Sequence, residues 1–222
     1  GQYRSNRFLH RFRLDLQTFT NKMRLAVLGA IICLSVFGWA QEVTQTFEDT
    51  LLYDNFSTTE YKFPQKYNAK ELFILENKQY RIKRISEEGF SIAFAKLENP
   101  VDAFELKTNI ELVKTKNKQA SVGVVLHGQV INNGAIVVEF TRKRCFRITK
   151  LYNNQYRYLS GTAEEQGWVK SKSLNKKGIN EIKVKVSKGN YDFYINGDYV
   201  YNIFDTQYEE GNVGFVVQGN SE

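Results

Sequence analysis

The first candidates for chemistry are the carboxylates, of which Glu139 lies inside an apolar run, 136–140. Two-carboxylate glycosidases need both acids on one groove, about 5–5.5 Å apart in retaining enzymes. On a strand this requires acids two or four residues apart, because alternate residues share a face. The paired acids are instead adjacent and close to glycine, which favours solvated turns: Glu87-Glu88, Glu164-Glu165 and Glu209-Glu210. Glu139 is therefore a weak catalytic candidate, and whether the protein is an enzyme stays open, leaning towards no.

Histidine and cysteine offer little further chemistry. Beyond residue 40 the sequence holds one histidine, His127, and one cysteine, Cys145. His127 ends an apolar run and is interpreted as structural, and Cys145 as a small packed residue. One Cys and one His cannot build a Cys/His zinc site. There is no glycine-rich phosphate loop and no Asp-x-Asp-x-Asp-Gly calcium loop, so the sequence predicts no metal and no cofactor.

Aromatic side chains are the better candidates, because sugar rings pack their C–H faces on aromatic rings while nearby polar groups bind the hydroxyls. The ligand-binding candidates are Trp168, Tyr152, Tyr156, Tyr158, Tyr194, Tyr199 and Arg147. A hairpin register that opposes Phe193 to Val200 would also place Tyr201 on the face of Tyr194. The alternative is structural, since tyrosine rings commonly pack on sandwich faces with the hydroxyl in water. Likewise, Arg142–Arg144 with Arg147 suits either an acidic glycan or a solvated turn.

Alternation of apolar and polar residues predicts the strands that would carry these side chains. In 104–112 it places Phe104 and Leu106 on one face, and Glu105 and Lys107 on the other. The segments 121–126 and 135–138 are apolar on both faces and are predicted to be central strands. About twelve strand candidates recur with turn signals at roughly ten-residue spacing, which favours an all-β, antiparallel two-sheet sandwich of the jelly-roll type.

Turn signals separate the predicted strands. Asn196-Gly197 is a strong two-residue hairpin signal, because both positions of a type I′ turn need positive φ. Tight turns are also predicted at 152–155, at 187–190 and at 142–144.

The net charge of +7 belongs mainly to the first 40 residues, which hold six Lys or Arg residues and one acid. The near-neutral remainder gives no electrostatic case for a nucleic-acid partner. Met23 precedes a short apolar run, 25–37, and small residues stand before Gln41, which predicts a signal peptide over 23–40. A retained anchor is the alternative, but the run is short for a membrane span. The mature protein is thus expected to be periplasmic or extracellular, without a membrane span.

The predicted signal peptide also divides the chain into segments. Residues 1–22 lack a turn or strand pattern and are interpreted as an upstream extension outside the mature protein. Residues 41–222 show no linker or composition shift, which predicts one domain. With a single cysteine it has no internal disulfide and depends on its core.

The order of the strand and turn motifs carries a resemblance. The motifs are Tyr53–Phe56, Gln79–Ile82, Asp102–Leu106, 122–128, Val138–Phe140, Phe146–Ile148, Trp168, Asn180–Val184, Asp192–Gly197 and Gly211–Phe215. Over about residues 50–219 the chain resembles the concanavalin A-like superfamily, in its laminin G-like and 3-keto-disaccharide hydrolase-like branch. These motifs specify a fold far better than a function. The resemblance also implies one further strand after 211–215, and the domain 41–222 is expected to lack this last strand. Its absence would leave 53–56 without a neighbour and open to pairing with another chain.

Three functions are compatible with these observations. The leading hypothesis is an exported carbohydrate-binding or interaction module without catalytic activity. The second is a sugar-active hydrolase of the 3-keto-disaccharide hydrolase-like type. The third is a structural or adhesion domain of the cell envelope, with an envelope protein rather than a glycan as its partner.

Overall fold

The computed structural model describes residues 12–16, 49–57, 63–115, 120–129, 134–153 and 155–222. Within these ranges the secondary structure is strands and turns, and every strand pairing is antiparallel. The strands are β1 (Phe12–Leu16), β2 (Asp49–Asp54), β3 (Lys66–Tyr67), β4 (Glu71–Glu76), β5 (Gln79–Arg84), β6 (Phe90–Phe94), β7 (Phe104–Glu111), β8 (Ser121–Gly128), β9 (Ala135–Phe140), β10 (Cys145–Tyr152), β11 (Gln155–Tyr158), β12 (Val169–Lys170), β13 (Ile179–Ser187), β14 (Asn190–Ile195), β15 (Asp198–Phe204) and β16 (Asn212–Gln218).

The strands form two main sheets and one small one. One sheet has the order β15-β14-β13-β7-β1-β2, and the other the order β11-β10-β9-β8-β16-β6, with β12 paired to β10. The three-stranded sheet β3-β4-β5 lies beside them. The predicted central strands, β8 and β9, are buried at every residue. The sequence prediction of an all-β antiparallel sandwich is confirmed.

The core lies between the two main sheets, where alternate residues of each strand meet. Phe104 and Leu106 of β7 are fully buried, whereas Lys107 is exposed, as the alternation predicts. They belong to the same buried cluster as Leu126 and Ile148 of the opposite sheet. Each such side chain contributes about 1.5–3 kcal/mol through burial, so the core can stabilise the fold without a disulfide.

The predicted hairpins are present. Asn196 and Gly197 have φ of 52° and 89°, as a type I′ turn requires, and they join β14 to β15. The turns between β9 and β10, β10 and β11, and β13 and β14 also lie where the sequence places them.

The register of the β14–β15 hairpin differs from the prediction after its first pairs. Tyr194 pairs with Tyr199 as expected, but a bulge then opposes Phe193 to Tyr201 instead of Val200. Tyr201 thereby faces inwards, where its ring meets that of Phe146 at 5.9 Å. The extra residue of the bulge puts this large ring on the core side.

The first strand, β1, contradicts the expectation that residues 1–22 lack a strand pattern. Phe12–Leu16 pairs with β7 on one side and with β2 on the other. The β2 strand, which includes Tyr53 and Asp54, therefore has a neighbour that the sequence analysis did not foresee. The predicted signal segment, 23–40, lies outside the described residues, and within those residues no helix is long and apolar enough to cross a membrane.

Candidate ligand-binding site

The outward face of the β11-β10-β9-β8-β16-β6 sheet is concave. Its two edge strands approach each other over this face, because the rings of Phe90 on β6 and Tyr156 on β11 meet edge to face with centroids 6.2 Å apart. Beneath them, an apolar patch fills one part of the concave face: Val125, Ala135, Val137 and Val216, packed by Phe90, Ile92 and Phe94. The curvature therefore brings residues from opposite ends of the sheet into one surface.

A buried polar cluster occupies the rest of this concave face. Register places Glu139 of β9 between Gly123 of β8 and Arg147 of β10. The guanidinium of Arg147 donates to Glu139 Oε2 from Nη2 at 2.8 Å and from Nε at 3.3 Å. The hydroxyl of Ser121 donates to Glu139 Oε1 at 2.7 Å, and Arg147 Nη2 also donates to Gln218 Oε1 at 3.1 Å. Both carboxylate oxygens are thus bound, and Glu139 is 2% exposed.

Aromatic rings lie over this cluster. The guanidinium of Arg147 lies over the indole of Trp168, with Arg147 Cζ 4.4 Å from the ring centroid. Arg147 Cζ also lies 5.9 Å from the ring centroid of Tyr158. Such cation–π contacts are worth about 0.5–2 kcal/mol, depending on burial. We call Tyr156, Tyr158 and Trp168 the aromatic rim, because Tyr156 and Tyr158 are 44% and 38% exposed and Trp168 is half-buried.

A short loop holds Trp168 in place. The buried hydroxyl of Ser160 donates to the carbonyl of Gly167 at 2.7 Å and accepts from the amide of Ile148 at 2.8 Å, which ties the loop to β10. Gly167 has φ of 77°, and a Cβ there would lie 3.0 Å from the side chain of Tyr158. Glycine therefore allows the loop to pack directly on Tyr158 and to present Trp168 beside it.

The electrostatics of the rim follow from its partial burial. Burial, and next the charge of Glu139, raise the pKa of Tyr156 to about 12, while Arg147 opposes this. Tyr156 is thus a neutral hydroxyl at physiological pH, able both to donate and to accept. Deeper in the face, the hydroxyl of Thr149 has no hydrogen-bond partner among the described residues.

The structure divides the predicted site residues into separate groups. Arg147, Tyr156, Tyr158 and Trp168 come together, but Tyr152 pairs with Gln155 at the hairpin tip, on the other face from Tyr156. Sequence reasoning missed Ser121, Gln218, Ser160 and Phe90. Ser121 and Gln218 each flank an apolar run, and this position could have marked them as candidates. The side chains that they contact are set by the register of strands far apart in the sequence, which local patterns do not show.

Tyr194 and Tyr199 lie on the other main sheet. Their rings meet edge to face at 5.4 Å, and the ammonium of Lys183 lies 4.2 Å from the ring centroid of Tyr194. Lys107 and Glu181 form an ion pair at 3.0 Å on the same sheet. These two tyrosines therefore belong to a different surface from the aromatic rim.

The carboxylate geometry bears on catalysis. The strand positions two residues either side of Glu139 hold Val137 and Thr141, so β9 carries no second acid on that face. Within the described part of the chain, no group of three or more His, Cys, Asp or Glu residues is placed to hold a metal ion.

His127 is structural, as the sequence suggests. Its Nε2–H donates to the carbonyl of Asp102 at 3.0 Å, so the neutral ring accepts from the Tyr191 hydroxyl through Nδ1 at 2.7 Å. Burial lowers the pKa of His127 despite these hydrogen bonds.

The basic turn is also structural. The guanidinium of Arg142 donates to the carbonyls of Leu112 and Val113, and that of Arg144 to the carbonyl of Lys172. These bonds commit both side chains to neighbouring loops.

A cavity of about 130 Å³ is lined by residues other than those of the aromatic rim. Its walls include Phe56, Tyr80 and Phe215, with Asn109 and Glu222 among the polar lining residues. None of the ligand-binding residues predicted from the sequence lines it.

No protein-family model and no curated protein matches the chain. Solved structures do match. The carbohydrate-binding module CBM66 from Bacillus subtilis is 12% identical with a TM-score of 0.55, over 72% of this chain and 89% of that chain. A Bacillus subtilis protein of unknown function with a galectin-like fold is 9% identical with a TM-score of 0.51, over 68% and 81%. A family 16 glycoside hydrolase, an endo-glucanase from Bacteroides ovatus, is 11% identical with a TM-score of 0.51, over 75% and 86%.

These likenesses define the fold. The chain has an antiparallel β-sandwich fold of the jelly-roll type, the fold that the resemblance in the sequence implies. At such identities the shared architecture does not carry over a ligand or a reaction.

Proposed function

We propose that this protein is an exported carbohydrate-binding module whose ligand lies on the aromatic rim of the concave face. The observation that carries the proposal is the row of partly exposed rings, Tyr156, Tyr158 and Trp168, along one edge of the sheet. A cluster of exposed aromatic rings needs an explanation that an isolated ring does not. Flat rings with polar tips suit a sugar, which offers both C–H faces and hydroxyl groups.

The buried polar cluster supports this assignment by fixing the rim. Trp168 lies on Arg147, whose guanidinium is in turn held by Glu139 and Gln218. A ring fixed on a rigid support loses little conformational entropy when a ligand binds, which favours affinity. Exposed Lys170 pairs with Cys145, which shares a face of β10 with Arg147, so Lys170 adds a hydrogen-bond donor on the side of the rim.

Binding is a better account than catalysis for the residues that are present. Both oxygens of Glu139 already accept hydrogen bonds, from Arg147 and Ser121. Glu139 is also 2% exposed, so its carboxylate is not accessible to a sugar on the surface. The likeness to CBM66, a carbohydrate-binding module, agrees with this choice at the level of architecture.

The test compares two rim variants with a matched control. Tyr158→Ala and Trp168→Ala each remove a rim ring, and Tyr199→Ala removes an exposed ring from the other sheet. A glycan array identifies the ligand, and titration calorimetry measures its affinity for each variant. We expect about tenfold weaker binding for each rim variant, or about 1.4 kcal/mol, and unchanged affinity for Tyr199→Ala.

Thermal melting of the same variants completes this experiment. Trp168→Ala should lower stability by about 1 kcal/mol, mainly through the lost contact with Arg147. A loss of about 3–5 kcal/mol without a specific loss of affinity would mark Trp168 as a core residue and reject it as a site residue. An array without glycan binding, combined with capture of an envelope protein, would favour the structural or adhesion function.

The hydrolase alternative needs its own assay. The protein is incubated with 3-keto-glucosides and with ordinary glucosides, and the products are analysed. Turnover that Glu139→Gln abolishes would replace the binding proposal by an enzymatic one.

A further inference from the structure

The strand β1 lies in the interior of a sheet, although the segment 17–48 separates it from β2 along the chain. All five of its residues pair on both sides, with β7 and with β2. In the sheet order β15-β14-β13-β7-β1-β2, the strands β7 and β2 are therefore joined through β1.

The register of β1 matches the buried face of its neighbour. Phe12, Leu14 and Leu16 lie opposite Thr108, Leu106 and Phe104, whose side chains are at most 2% exposed. Residues directly opposite each other in an antiparallel pair lie on the same face of the sheet. The apolar positions of β1 thus coincide with the core-facing positions of β7, and a slip by one residue would reverse this match.

The place between β2 and β7 requires a strand. Alternate residues of the β7 segment that pairs with β1 are buried, namely Phe104, Leu106 and Thr108, whereas Lys107 is exposed. Without an intervening strand, the backbone groups of 104–108 on that side would lose their strand partners beside this buried row. Each buried unpaired group costs about 1–3 kcal/mol, so occupancy of this place is strongly favoured.

We propose that the gap between β2 and β7 is a strand-acceptor site for an extended segment with apolar residues at alternate positions. Its occupant is Phe12–Leu16 of this chain, held by backbone pairing and register and not by its covalent connection to β2. This proposal is independent of the glycan site, which lies on the other main sheet. It matters for processing, because the cleavage predicted ahead of Gln41 falls between β1 and β2.

The experiment uses the full chain with a site-specific protease sequence in place of residues 17–22. After complete cleavage, size-exclusion chromatography and mass spectrometry identify the pieces in the folded peak. We expect the piece that contains β1 to co-elute with the remainder. A labelled peptide of residues 10–18 should then exchange into the cleaved protein in a saturable manner, whereas the same peptide with Leu14→Asp should not.

Two results would overturn the proposal. One is loss of the β1 piece while the remainder keeps its melting temperature, because the site would then need no occupant. The other is unfolding of the remainder on cleavage with no rescue by the peptide, because the covalent connection would then be essential.

A variant of the uncut chain provides an independent measurement. Leu14→Pro removes a backbone donor from a strand paired on both sides, and Thr18→Pro places the same residue outside that strand. Hydrogen exchange at the amides of 104–108 should be at least tenfold faster in Leu14→Pro than in Thr18→Pro. Equal protection in the two variants would show that β1 does not occupy the site in solution.

Discussion

Replacing Arg147 by methionine tests whether the polar cluster beneath the aromatic rim is one energetic unit. The change keeps an unbranched apolar side chain against Trp168 but removes the guanidinium from Glu139. The carboxylate, 2% exposed, then keeps one hydrogen bond from Ser121 and no cation. Glu139→Met produces the opposite defect and leaves a buried guanidinium without its carboxylate.

The expected magnitudes follow from these contacts. Removing one partner of a buried ion pair costs about 3–5 kcal/mol. For a domain of this size, 1 kcal/mol lowers the melting temperature by about 2–4 °C, so each single variant should melt about 6–20 °C lower. The double variant Glu139→Met/Arg147→Met leaves no charge in this cluster and should cost about 1–3 kcal/mol, chiefly because the buried hydroxyl of Ser121 loses its acceptor.

Urea unfolding of the parent, the two single variants and the double variant gives the coupling energy. We expect the double variant to be more stable than either single variant, with a coupling of several kcal/mol. Additivity within about 0.5 kcal/mol would refute the reasoning, because it would mean that Glu139 and Arg147 do not interact in solution.

The remaining predictions concern the hairpin, the buried histidine and the leader. Gly197→Val should cost about 1–2 kcal/mol through backbone strain alone, since φ is 89° and no atom lies within 4 Å of an added Cβ; an unchanged melting temperature would contradict this. Because burial lowers the pKa of His127, the unfolded chain binds a proton first as the pH falls below about 6.5, and stability should decrease there. In urea titrations at pH 7 and pH 5, His127→Gln should lose most of this dependence. Mass spectrometry of the exported protein should find a chain that begins at Gln41, and a mature product in which residues 1–22 are still covalently joined to the remainder would contradict the predicted processing.

Local patterns in the sequence predicted the elements whose causes are local. The hairpin at Asn196-Gly197 follows from two residues that tolerate positive φ. The alternation from Phe104 to Lys107 follows from a strand with one face buried in the core and the other exposed to solvent. The bulge that turns Tyr201 inwards could not be predicted, because it depends on space beside Phe146 in the opposite sheet.

The candidate site likewise has a part that local sequence predicts and a part that depends on long-range pairing. Glu139 and Arg147 stand on two strands joined by a short turn, and both were singled out from the sequence. Their contacts with Ser121 and Gln218 depend on strands far away in the chain. The strand β1 has a local strand pattern, with apolar Phe12, Leu14 and Leu16 alternating with charged residues. It was missed because residues 1–22 were interpreted as an upstream extension, and because its pairing with β7 spans a long stretch of sequence.

The double variant Glu139→Met/Arg147→Met also decides what the polar cluster contributes to the rim. Methionine retains packing beneath Trp168 but offers no flat cation for the indole to lie on. If Arg147 orients the ring for a ligand, this variant should stay folded yet bind the glycan about tenfold more weakly, similar to Trp168→Ala. Unchanged affinity in a folded double variant would mean that the loop tied by Ser160 is sufficient to position Trp168. The cluster would then stabilise the sheet without taking part in recognition.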